Sequence, residues 1–251
     1  MAFRTFLSAL GVNAPRVETI VDTPSVRPGD TLRCTVHVRG GGADVEIERL
    51  RLDLVVRAED LEEDGSTEWK NPYTIVEADL GGFRLPAGET LAHPVALDVP
   101  WDMPLTHERG RPLRGARVAV RTELSIDNAM DKGDFDEVHV HALPAQDMVF
   151  QVYEDLGFRF HESEVKIMAA RWKNMEDRRP SPYWQELDFF FPPAWNKGAY
   201  ELETVLITFE GELDVHPGGY PAVTLRHADR DRAAWTSAID QHIRKYWSPN
   251  V

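Results

Sequence analysis

The chain has 251 residues, with 42 acidic side chains against 28 basic ones and a formal net charge of −14. That balance argues against a nucleic-acid backbone as the main partner, because phosphate contacts need clustered Lys and Arg. An apolar fraction of 42% supports a sizeable core, yet no apolar run approaches the roughly 20 residues that span a bilayer, so integral membrane insertion is not expected. A single cysteine, Cys34, allows neither an internal disulfide nor a cysteine-based zinc site and fits a reducing cytoplasm. MAFRTFLSALG lacks the long apolar region and small-residue cleavage site of a secretory leader, and the expected location is cytoplasmic.

In chain order, Phe3, Phe6, Leu7 and Leu10 fall at i, i+3, i+4 and i+7 and predict a short amphipathic helix, capped by Gly11, that packs on its own domain. Its only cation is Arg4, whereas membrane-surface helices are rich in Lys and Arg. Pro28-Gly29-Asp30 is a turn signal. After it, Leu32, Cys34, Val36 and Val38 alternate with polar residues as in a half-buried strand. Gly40, Gly41 and Gly42 are followed by strand periodicity and not by a helix, so they predict a hairpin and not a phosphate loop. Val45 and Ile47 then give way to Leu50, Leu52 and Leu54, one position out of register, which predicts a bulge near Glu48-Arg49.

Further strands are predicted at 73–78, 90–99 (an edge or bulged strand, given Pro94), 116–126 and 136–141. Leu143-Pro144-Ala145 interrupts the pattern and predicts a domain boundary. Strands resume at 148–153, 157–160, 165–170, 184–191, 200–210 and 222–227. Finally Asp229 to Trp247 predicts a helix with Trp235, Ala238, Ile239, His242 and Tyr246 on one face, its acidic start and basic end matching the helix dipole. Closely spaced strands without intervening helices imply an antiparallel sandwich.

Chemistry-bearing patterns are sparse. His139 and His141 form an H-x-H on one strand and could share a metal with a third ligand such as His93, His107 or His161. Solvent-facing or edge-strand histidines are the favoured reading. The acidic segment 127–137 fails the EF-hand template, with Ala129 at the third position and Lys132 at the sixth, and reads as a solvated acidic hairpin. Cys34 lies on an apolar strand face, where a thiol is a packing group. No nucleophile elbow is present, and no catalytic constellation emerges.

Several stretches resemble the SpoOM-type sporulation-control proteins of bacteria, an arrestin-like family. They are the leading helix, Val26-Arg27-Pro28-Gly29-Asp30, the run Glu48-Arg49-Leu50-Arg51-Leu52, and Leu124 through Asp134 with Asp136-Glu137-Val138-His139-Val140. Leu156-Gly157-Phe158-Arg159-Phe160 and Gln185-Glu186-Leu187-Asp188-Phe189-Phe190 fit as well. The resemblance runs to about residue 228 and implies an all-β fold of two arrestin-like antiparallel β-sandwich lobes, residues 1–143 and 147–228; the C-terminal helix and tail, 229–251, rest on periodicity and are not matched by it. It also implies a cytoplasmic regulator without enzymatic activity or cofactor, acting through protein partners in developmental control. The candidate interaction residues are Asp131, Lys132, Asp134 and Asp136 of the acidic segment, with Trp235, Ile239 and Tyr246 of the closing helix. That helix is expected to dock on its own second lobe, a homodimer or partner contact being the alternative. The rival function is a metal-dependent β-sandwich enzyme using His139 and His141.

Overall fold

Burial along Thr31–Arg39 follows the alternation in the sequence, with Leu32, Cys34, Val36 and Val38 inside and Arg33 and Arg39 outside. The structure, a computed structural model, describes residues 14–61, 67–126, 129–130, 135–167, 178–195, 197, 200–219 and 221–247. The expected N-terminal helix lies outside them, as do Asp131, Lys132 and Asp134.

The first half of the chain holds β1 Arg16–Val21, β2 Ser25–Val26, β3 Thr31–Arg39, β4 Val45–Ile47, β5 Arg49–Leu61, β6 Thr67–Asp79, β7 Phe83–Leu85, β8 Thr90–Asp98, β9 His107–Glu108, β10 Arg111–Pro112, β11 Val118–Ile126, β12 Ala129–Met130 and β13 Phe135–Val140. Helix α1 Pro144–Asp155 follows, then β14 Arg159–Ile167, β15 Tyr183–Phe190, a short 3-10 turn at Pro193–Trp195, β16 Glu201–Thr208, β17 Glu212–Pro217, β18 Val223–Arg226 and helix α2 Arg232–Trp247. The fold is mostly β, as the sequence predicts.

A three-stranded sheet, β1-β3-β8, shares one core with a larger sheet ordered β18-β17-β16-β15-β14-β5-β11-β13-β2. Thr19 of the small sheet and Thr122 of the large one are hydrogen-bonded across the gap, 2.6 Å between hydroxyls. Pro94 sits on β8, an edge strand where a missing N–H leaves no broken ladder. The 13-residue β5 pairs with β11 through its first half and, in parallel, with β14 at Glu59 and Asp60. One strand thereby joins the two runs of sheet. Cys34 is 1% exposed, and burial first, then the charges of Asp22 and Asp136, pushes its thiol up to about 12. It stays protonated and packs as an apolar group.

Two turn predictions are corrected. Gly40–Gly42 do not close a hairpin, because β3 pairs with β1 and β8 while β4 pairs with β7. They carry the chain from one sheet to another, and a Cβ on Gly40 would lie 2.1 Å from the Pro86 carbonyl. The register slip at Glu48 is likewise a change of sheet and not a bulge: β4 ends in the β4-β7 ribbon and β5 begins in the large sheet.

The strand expected at 148–153 is helix α1. Ala145, Val149, Val152 and Tyr153 are buried at helical spacing, and Pro144 occupies the first turn, where its missing N–H does no harm. The Leu143 N–H donates to Gln146 Oε1 at 2.8 Å. At the other end Phe158 N–H donates to Tyr153 O and Gly157 N–H to Glu154 O, with Gly157 at φ 86°. This is a Schellman stop, which needs a residue tolerant of positive φ. The buried Tyr153 hydroxyl bonds Thr204 Oγ1 at 2.9 Å, and its ring lies 4.4 Å from that of Phe189.

Helix α2 begins with Asp231 as its cap, whose carboxylate accepts from the N–H groups of Ala233 and Ala234. Trp235, Ile239 and Ile243 are buried against the same core, and Arg232 forms a two-pronged pair with Asp155 of α1. Trp235 and Ile239, candidates for contact with a partner, are 4% and 0% exposed and are engaged within the chain. Tyr246 is half-buried beside His242.

Candidate functional site

Strand β13 alternates strictly. Val138 and Val140 are 0% exposed, and Asp136 shares their inward register, half-buried. Phe135, Glu137, His139 and then His141 occupy the outward register. Asp136, expected to face a partner, therefore points to the side that carries the core.

Backbone pairing fixes where this outward face ends. On one side His139 N–H donates to Pro24 O and His141 N–H to Val26 O, both at 2.8 Å. On the other, Thr106 N–H donates to Val140 O and Ala142 N–H to His107 O, both at 2.9 Å. The resulting parallel bridge sets His107 beside His141, with both side chains on one face. His107 stacks between the other two, at centroid distances of 4.6 Å to His139 and 4.7 Å to His141. One nitrogen from each of the three rings lies within 4.8 Å of the others.

Thr106 supports this cluster from behind. Its Oγ1 lies 2.9 Å from His107 Nδ1 and accepts from Val140 N–H at 2.8 Å. Partial burial lowers the pKa of His107, and the neighbouring His139 and His141 lower it further. His141 is lowered by burial first and then by Arg27 and His139. Both rings are held neutral at neutral pH. Glu137 reaches to 4.0 Å from His139 Nε2.

The sequence supplied His139 and His141 as a pair and three alternatives for a third member, and the structure selects His107. His161 instead contacts Glu201 and stacks on Phe190, while His93 stacks on Phe83. His107 was beyond the reach of spacing, because it lies on a two-residue strand far from β13 in sequence.

A second cluster is acidic. Glu164, Glu186, Asp188, Glu201 and Glu203 share one face of β14, β15 and β16. Burial, and then Glu186, Glu201, Glu203 and Glu164, pushes Asp188 up to about 7. A raised carboxyl pKa contributes stability that is present below its ordinary value of 3.8 and lost as pH rises towards 7. Asp188→Asn is therefore expected to unfold at a higher temperature than wild type at pH 8 and at a similar temperature near pH 4. Thermal melts at the two pH values check this; an equal gap at both would refute it.

Fold and site together define a mostly β protein with a surface histidine cluster on a strand face. The family model for "SpoOM protein" matches residues 3–216, and the chain belongs to that family. The sporulation-control protein spo0M of Bacillus subtilis (strain 168) is 28% identical over 216 residues, covering 85% of this chain and 78% of the relative. The crystal structure of Spo0M from Bacillus subtilis superposes with a TM-score of 0.74 at 25% identity, covering 94% of this chain and all of that one. No helix among the described residues is long and apolar enough to cross a membrane.

Proposed function

We propose that this chain is a non-catalytic regulator that works by binding other proteins, in a developmental pathway of the kind its Bacillus subtilis relative is named for. The likeness to that sporulation-control protein carries this reading, since it runs through 85% of the chain and is not confined to one motif. Surface features support it. Phe135 and Tyr200 are exposed by 49% and 76%, and large aromatics at a surface are the side chains that anchor protein interfaces. Phe135 adjoins the acidic segment that contains Asp131, Lys132 and Asp134. The proposed organisation is two lobes divided near residues 142–146, and the proposed location is the cytoplasm.

The test is made in the host cell. The gene is disrupted and developmental timing scored, while a tagged chain is photo-crosslinked from position 135. A developmental defect together with a defined crosslinked complex is the expected result. A chain that stays monomeric under crosslinking, and whose loss changes nothing, would sink the proposal.

A further inference from the structure

We propose that His107, His139 and His141 form a three-histidine site for a divalent transition-metal ion of borderline softness, zinc being the ion that best suits it. This goes beyond the regulatory reading and does not depend on it.

Three imidazoles converge from two segments that are distant in sequence, and main-chain bonds pin both segments. The Val140 carbonyl and N–H are both engaged by Thr106, and the His107 carbonyl by Ala142 N–H. The histidine backbones are therefore placed before any ligand arrives, which limits the ordering cost of binding. His139 and His141 stand on one face because they are two residues apart on a strand. His107 joins that face through the parallel bridge.

The orientation of His107 also suits ligation. With the proton on Nδ1, that N–H donates to Thr106 Oγ1 across 2.9 Å, and the lone pair of Nε2 points away from the anchor. A ligating histidine whose other nitrogen is held by a hydrogen bond is the usual arrangement at metal sites. Zinc–nitrogen bonds of about 2.0–2.1 Å place tetrahedral ligand atoms about 3.3 Å apart. The present separations, up to 4.8 Å, must close by up to about 1.5 Å on binding, a change of the size that rotation of the rings about χ1 and χ2 supplies. Three imidazole nitrogens leave a fourth position, and Glu137, 4.0 Å from His139 Nε2, can fill it or orient a water there. Imidazole donors favour zinc, copper and nickel over calcium or magnesium.

The test uses the full chain without a histidine tag, stripped with chelator and titrated with zinc chloride by calorimetry. Cobalt(II) serves as a second probe, because its visible spectrum reports four-coordinate geometry. One equivalent of zinc should bind, and His107→Gln, His139→Gln and His141→Gln should each weaken binding at least tenfold. His93→Gln, on the Phe83 side of the fold, should match wild type. Zinc should also raise the melting temperature of wild type and leave that of His107→Gln unchanged, so each variant's own melt shows whether it is folded. Binding retained in full by His107→Gln would reduce the site to an H-x-H pair and overturn the proposal. So would the absence of stoichiometric binding to the wild-type chain.

Discussion

Asp53→Ala is expected to remove about 3–5 kcal/mol of stability, the cost of leaving a buried charge network without its central anion. Asp53 is 0% exposed in the middle of β5, opposite Arg121 of β11 on one side and Glu77 of β6 on the other. Arg121 hydrogen-bonds its Oδ2, Arg51 Nε lies 3.3 Å from Oδ1, and Glu123 closes the ring by pairing with both arginines. The two guanidiniums are only 14% and 19% exposed, so water offers them limited compensation once Asp53 is gone. In a chain of this size the loss corresponds to a melting temperature lowered by about 6–20 °C. Thermal and urea unfolding check the magnitude. The double variant Asp53→Leu/Arg121→Met should regain much of the loss, because apolar replacement of a whole buried pair is often neutral. A single-variant loss under about 1 kcal/mol would mean that the network behaves as screened surface pairs.

The run Leu50-Arg51-Leu52-Asp53-Leu54 shows how much of this fold was legible beforehand. Its alternation places Leu50, Leu52 and Leu54 in the core, as observed. The same alternation puts Asp53 on a polar face, but its burial comes from β6 and β11 flanking it, which no local pattern encodes. The one-residue slip at Glu48 was visible too. Its cause was not, since a bulge and a change of sheet leave the same mark in sequence. In α1 the signals were present: Pro144 at the start, Gly157 at the stop, and Ala145, Val149, Val152 and Tyr153 at helical spacing. Met148 to Tyr153 read alone as a strand because a short apolar run fits either period. β1 was passed over, although Val17 and Thr19 stand at alternate buried positions, because one apolar residue and one threonine make too weak an alternation to mark a strand. The histidine cluster divides along the same line. The spacing of His139 and His141 fixed their shared face, whereas His107 reaches them only through tertiary pairing.

Trp235→Ala is expected to cost about 3–5 kcal/mol, the range for removing a large buried aromatic whose cavity cannot fully collapse. Trp235 is 4% exposed and lies one turn from Ile239, itself 0% exposed, with Ile243 a further turn on. These three form the apolar stripe by which α2 joins the core. A 16-residue helix has little stability of its own, so loosening the stripe frees the whole element. The Arg232 pair with Asp155 is half-exposed and cannot hold it, because surface ion pairs contribute little. The aromatic cluster beneath should feel the change, since Trp247 near the end of α2 lies 5.6 Å from Phe191 and Arg244 sits 5.2 Å over Trp195. Near-ultraviolet circular dichroism should therefore lose intensity together with the fall in melting temperature, while the oligomeric state measured by light scattering stays as in wild type. If stability holds but an oligomer dissolves, α2 is an association element and its packing on its own chain is secondary.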